Sequence, residues 1–125
     1  MGIPPAHISE SINKLNGNLT RVAQVEEWAD LMGYPNSKKF SRRFLRYYKV
    51  RPSKILIIIR LMSIYKELRA GGQSNFQIAC RHSLPDEKAL NKFVKYHLDC
   101  CPRQLKRMPI GRFRRMLEKF GSKVR

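Results

Sequence analysis

Apolar residues along the chain recur at three- and four-residue intervals, and two-residue alternation never persists, so the pattern predicts an all-α protein. Ile8, Ile12, Leu15 and Leu19 outline a first amphipathic helix ending near Asn16-Gly17-Asn18. Val25, Trp28, Ala29 and Met32 outline a second, stopped by Gly33, whose freedom at positive φ suits a helix C-terminus. Pro35 cannot extend that helix but suits the opening of the next, with Asn36 as its candidate cap. In that third helix Phe40, Phe44, Tyr47 and Tyr48 share one face at about 100° per residue, while Lys38, Arg42 and Leu45 point the other way. Lys39 and Arg46 flank the outer strip, and Ser41 lies at its other margin.

A displacement of fifty positions then places Ala29 on Ala79, Pro35 on Pro85 and Pro52 on Pro102. It also places Trp28 on Ile78, Asn36 on Asp86, Phe40 on Leu90, Arg42 on Lys92 and Phe44 on Val94. Two copies are too few for a solenoid, so the repeat predicts two similar helical lobes, each a helix, a short turn and a helix. In the second copy Leu90, Phe93, Val94 and His97 turn inward, whereas Lys88, Lys92 and Lys95 turn outward with Asn91 and Glu87 alongside. Between the copies, Ser53 to Ala70 is apolar on almost every face, which predicts a connector helix buried on several sides and closed by Gly71-Gly72.

The expected organisation is an N-terminal lobe over residues 1–52, a connector over 53–70, a second lobe over 71–108 and a basic amphipathic tail helix over 109–125. In the tail Ile110, Phe113, Met116, Leu117 and Phe120 form one stripe, with Arg112, Arg114, Arg115 and Lys119 around it. A stripe that wide is expected to dock on the second lobe, leaving its cations for phosphate; a partner-binding or membrane-surface helix is the alternative.

Charge sharpens this picture. The 125 residues carry 26 Lys and Arg against 9 Asp and Glu, a net charge of +17, far beyond what solubility requires. Residues 1–35 hold two basic groups (Lys14, Arg21) against four acidic ones (Glu10, Glu26, Glu27, Asp30), so residues 36–125 carry a net +19. A polyanionic partner for the downstream region is implied.

Other chemistries are not signalled. Three cysteines, two of them adjacent, make no disulfide framework, and an odd count fits reduced thiols in a cytosol. Cys80-x-His82 and His97-x-x-Cys100-Cys101 match no recognised zinc-finger spacing; buried thiols and a core or rim histidine are expected there, and no metal. No nucleophile, base and orienter pattern and no glycine-rich phosphate loop occurs, so neither catalysis nor a cofactor is expected. The longest apolar run, Ile55 to Ile59, is too short for a bilayer and is closed by Arg60, and the opening MGIPPA has no leader pattern. A soluble cytoplasmic protein without membrane contact is the expectation.

A major groove is just wide enough for an α-helix, and Arg, Lys and Asn complement the acceptors and donors on base edges there. A helix with an aromatic inner face and a cationic outer strip has the composition such a reader needs. A solvated surface is the bland alternative for one basic face; two such strips after matching turns argue against it.

The runs WADLMGYPNSKKFSRRFLRYYKVRPSKILIIIRL and IACRHSLPDEKALNKFVKYHLDCCPRQLKR resemble the first and second helix-turn-helix motifs of the AraC/XylS family of bacterial transcription regulators, over about Ile8 to Arg107. The resemblance implies two motifs joined by a long helix, with the third and sixth helices entering successive major grooves of an asymmetric site. By position, Lys38, Ser41 and Arg42 match the base-reading places of the first motif, and Glu87, Lys88, Asn91 and Lys92 those of the second. Lys39, Arg46, Lys54, Lys95 and Arg103 are the candidate phosphate contacts. Double-stranded DNA bound by a monomer is implied, with RNA polymerase the partner where regulation is activation, in a bacterial-type, nucleoid-associated setting.

The family's turn glycine is present as Gly33 but replaced by Ser83, and the glycine usual after each recognition helix is Lys49 or Asp99. A non-glycine residue in left-handed geometry costs roughly 1 to 2 kcal/mol, so the second turn is expected to be either locally different or less stable. Two other readings use the same charge: a nonspecific architectural or RNA-binding protein, and a protein-interaction module built on the tail.

Overall fold

A computed structural model describes residues 7–122. Among them lie eight α-helices and no strand, as the all-α expectation requires. A 3-10 turn at Ile8–Glu10 leads into α1 (Ser11–Asn16), followed by α2 (Val25–Leu31), α3 (Ser37–Tyr48) and α4 (Pro52–Ala70). Then come α5 (Asn75–Arg81), α6 (Glu87–Leu98), α7 (Pro102–Lys106) and α8 (Ile110–Ser122). The leader reading of residues 1–6 and the last three residues of the tail lie outside the described residues. The chain forms two compact units that part between Ile57 and Ile58, within α4.

The first unit is built on aromatic packing. Trp28 is fully buried, with its ring centroid 5.2 Å from Phe40 and 5.1 Å from Phe44. Its indole N–H donates to the Ser11 carbonyl at 3.0 Å, which fixes α2 against the end of the preceding turn. Ile8, Leu15, Val22, Ala29, Met32 and Leu56 complete the core. Tyr47, expected on the inner face, is instead 52% exposed, with its edge toward His7 at 6.2 Å. It lies at the margin of a helix whose core is already filled by Phe40 and Phe44.

The second unit keeps the helix pattern with a different core. Ile78, Leu90 and Val94 are buried where the first copy has Trp28, Phe40 and Phe44, and His82 is buried where the first has Met32. This unit has its aromatic pair elsewhere, on α4 and α8: Tyr65 and Phe113 are buried and stack with centroids 4.0 Å apart and planes 10° from parallel. The Tyr65 hydroxyl donates to the Met108 carbonyl, and Arg69 donates to the same oxygen at 3.1 Å. The tail helix is therefore packed into this unit through Phe113, with Met116, Leu117 and Phe120 half-buried and Ile110 left exposed at its start.

The stretch between the two copies forms the expected helix, though its isoleucine run is less buried than its composition suggests. α4 opens at Pro52, where the missing N–H is harmless, and runs unbroken to Gly71, whose φ of 74° ends it. Leu56, Leu61, Ile64, Tyr65 and Leu68 are buried, but Ile55, Ile57, Ile58 and Ile59 are only half-buried and Met62 is exposed. Arg60, which closes the isoleucine run, is buried: its guanidinium donates to the His82 carbonyl and sits 4.7 Å over the Phe93 ring.

Candidate nucleic-acid interface

The two copies converge on one local geometry. α2 ends in a turn where Gly33 adopts φ 83° and Tyr34 N–H returns to the Ala29 carbonyl at 3.0 Å. α5 ends in the same turn with Ser83 at φ 59° and Leu84 N–H returning to Ala79 at 2.9 Å. A serine therefore holds the left-handed conformation of the glycine, but the residue before it differs. Met32 is right-handed helical at φ -83° and its N–H still reaches the Trp28 carbonyl, whereas His82 lies at φ -108°, ψ 22° and its N–H bonds to the Ala79 and Cys80 carbonyls. Asn36 then caps α3, its Oδ1 accepting from Lys39 N at 2.9 Å, and Asp86 caps α6 by accepting from Ala89 N at 2.9 Å. Both helices run twelve residues and end on a left-handed residue, Lys49 at φ 64° and Asp99 at φ 57°.

These caps set which residues reach solvent. On α3 Lys38, Lys39, Arg42, Leu45 and Arg46 are exposed and Ser41 is half-buried; on α6 Glu87, Lys88, Asn91, Lys92 and Lys95 are all exposed. Arg103, at the start of α7, is exposed, and Lys54, in the first turn of α4, is half-buried. Among the described residues no carboxylate meets Lys38, Lys39, Arg42, Arg46, Lys88, Lys92, Lys95 or Arg103. Each strip therefore presents uncompensated cations held by a capped helix, which is the arrangement a phosphate-lined groove can neutralise.

The structure adds residues that the sequence reasoning left out. Arg51 lines a recess of about 300 Å³ together with Glu26, Ser37, Ser41 and Arg42, so the polar surface of α3 continues to the residue just before α4, with one carboxylate beside it. Tyr96 stands 85% exposed at the α6 position matching Arg46. Its spacing of four from Lys92 already placed it on that face. Where α3 carries Lys39, Arg43 and Arg46 along one flank, α6 carries Ala89, Phe93 and Tyr96, so the two strips differ on that side.

The cysteine and histidine groups fall apart. Cys80 is exposed, contrary to the expected buried thiol, because it turns outward one position after the buried pair Ile78 and Ala79. Cys100 is buried and burial raises its thiol pKa, which disfavours the reactive thiolate. His82 Nε2 lies 2.9 Å from Glu67 Oε2, and Glu67 Oε1 meets Arg81 Nε at 3.0 Å. Burial lowers the pKa of His82 despite that carboxylate, and burial with the nearby Arg60 charge lowers that of His97. Among the described residues no three His, Cys, Asp or Glu side chains gather where they could hold one metal ion. Nor is any helix long and apolar enough to cross a membrane.

No family model and no curated protein matches the sequence. A solved structure does match: a transcriptional regulator described as an AraC-type DNA-binding domain-containing protein, from Chromobacterium violaceum. The likeness covers 79% of this chain and 88% of that one, with a TM-score of 0.64 and 19% sequence identity. The fold is that of an AraC-type DNA-binding domain. Within it, α3 and α6 are the second helices of the two helix-turn-helix motifs.

Proposed function

We propose that the chain is a transcription regulator that binds double-stranded DNA sequence-specifically, with α3 and α6 entering successive major grooves. The observation that carries this reading is the matched pair of strips: two capped twelve-residue helices, each after a turn with a left-handed residue, presenting unpaired cations at two equivalent positions, Lys38 with Lys88 and Arg42 with Lys92. Phosphate contacts supply affinity and register, whereas base contacts supply sequence preference. Lys38, Ser41 and Arg42 read one half-site, and Glu87, Lys88, Asn91 and Lys92 the other. Lys39, Arg46, Lys54, Lys95 and Arg103 hold backbone phosphates.

In this reading residues 1–52 and 71–108 are the two motifs, 53–70 the connector and 109–125 an added tail. The protein acts as a monomer in the cytoplasm of a bacterial cell, associated with the nucleoid, and it contacts RNA polymerase where it activates. Its work is binding, with no catalytic step.

Selection from random duplex DNA tests the reading. Two short conserved half-sites about one helical turn apart are expected, since that spacing brings successive major grooves to one side of the duplex. Enrichment of no sequence at all would leave the charge to a nonspecific role.

A further inference from the structure

We infer that the exposed face of α8 is a second, independent phosphate-binding surface, which lets the protein hold a second segment of duplex DNA while α6 occupies the first. The inference rests on the DNA-binding reading of α3 and α6 and extends it.

Position is the first argument. α8 packs on α6 through Phe120 and His97, whose ring centroids are 5.4 Å apart. At about 100° per residue, His97 lies roughly 140 to 180° around α6 from Lys92 and Lys88. The tail helix therefore sits behind α6, on the side opposite the reading strip, and its own outer face points farther away. A duplex lying against Lys88 and Lys92 is thus separated from the tail helix by α6 itself.

Chemistry is the second. With Phe113 buried on Tyr65, the exposed positions of α8 include Arg112, Arg114, Arg115 and Lys119, against Glu118 as the one acid of the helix. Among the described residues none of these four cations meets a carboxylate. Four exposed cations without a carboxylate partner on one thirteen-residue helix make a surface suited to an external polyanion.

Elimination identifies the anion. An interfacial membrane helix inserts a free apolar face, but here Phe113 is buried against Tyr65 and Phe120 rests on His97, with Met116 and Leu117 half-buried beside them. Protein interfaces are anchored by buried apolar and aromatic side chains, and the outer face offers only Ile110, at its first residue. A phosphate backbone needs neither, because dispersed cations alone bind it by releasing counterions. Arginine, three of the four, suits phosphate through its planar fork of donors.

The test uses the full chain and the variant Arg112→Gln/Arg114→Gln/Arg115→Gln/Lys119→Gln, with thermal melting to check its fold. A duplex bearing the selected site is immobilised, and capture of a second, labelled duplex lacking that site is measured at low salt. Capture by the wild type and its loss by about tenfold or more in the variant are expected, with affinity for the immobilised site changed by less than about threefold. Equal capture by both proteins overturns the inference, as does wild-type protein that binds the site but captures nothing. Variant-sensitive binding to phosphatidylserine vesicles without duplex capture also overturns it, in favour of a lipid surface. Failure of the wild type to bind any immobilised duplex removes the DNA reading of α3 and α6 as well, which separates the two failures.

Discussion

Ser83 and Gly33, fifty residues apart in the sequence, hold the same left-handed backbone in equivalent turns, at φ 59° and 83°. Only for glycine is that conformation free of a Cβ penalty, which is roughly 1 to 2 kcal/mol for other residues. Glycine gives back part of this through the entropy of the unfolded chain. Ser83→Gly should therefore stabilise the protein by about 0.5 to 1 kcal/mol, and Gly33→Ser should destabilise it by a similar amount. Urea midpoints at constant slope measure both. Destabilisation by Ser83→Gly would mean that the serine hydroxyl does more for the turn than the strain costs.

The buried histidine where the first copy has Met32 makes stability depend on pH. Burial, the largest influence on His82, lowers its pKa, opposed by Glu67 and reinforced by Arg60 and Arg81. The unfolded chain, with an ordinary histidine pKa of about 6.5, then binds a proton that the folded chain resists. Stability is full above about pH 6.5 and falls as the pH drops from there toward the native pKa, by at most about 1.4 kcal/mol per pH unit for this residue. His82→Met, which copies the first unit, should lessen the fall between about pH 7.5 and 5.5, before carboxylates titrate, and leave the part that His97, whose pKa is also lowered, contributes. Chemical denaturation across that window reads the difference.

Trp28 joins packing to hydrogen bonding in the first unit, so its two contributions separate by substitution. Trp28→Ala removes the contacts with Phe40 and Phe44 and should cost about 3 to 5 kcal/mol. Trp28→Phe keeps most of the apolar volume but leaves the buried Ser11 carbonyl without its donor, for a cost of about 1 to 3 kcal/mol. Equal losses from the two variants in urea titrations would show that the indole N–H, and not the ring, sets the stability of this unit.

Local signals made much of this fold legible. Asn36 and Asp86 were readable as caps because capping is decided within three residues, and α3 and α6 start where those caps place them. Phe40, Phe44, Leu90 and Val94 were readable as core from helical spacing alone. Residues at the edge of a stripe were not: Tyr47 lies outside the buried arc, and whether a marginal residue is covered depends on a neighbouring element that periodicity does not contain. Arg60 shows the same limit in the other direction. A cation in an apolar helix reads as a boundary, yet its partners, the His82 carbonyl and the Phe93 ring, are brought to it only by tertiary folding. The cations of the two strips were visible as a repeat, and the replacement of Arg46 by Tyr96 was readable from spacing, whereas that Tyr96 is left 85% exposed depends on the tertiary fold.

Two arginines on α3, four residues apart, should fail differently. Arg42 lies on the strip assigned to base edges and Arg46 beside it, and both are exposed and without a carboxylate partner among the described residues. A bidentate contact to a base discriminates by about 1 to 3 kcal/mol, whereas a phosphate contact is blind to sequence. Arg42→Ala should relax preference at one position of the selected site, with little change in affinity for duplexes already altered there. Arg46→Ala should weaken binding to all duplexes alike and reduce the slope of log affinity against log salt by about 1. Binding is measured against the selected site and its single-position variants at several salt concentrations. A uniform loss from both substitutions would remove Arg42 from the reading strip and leave α3 as a phosphate-binding helix.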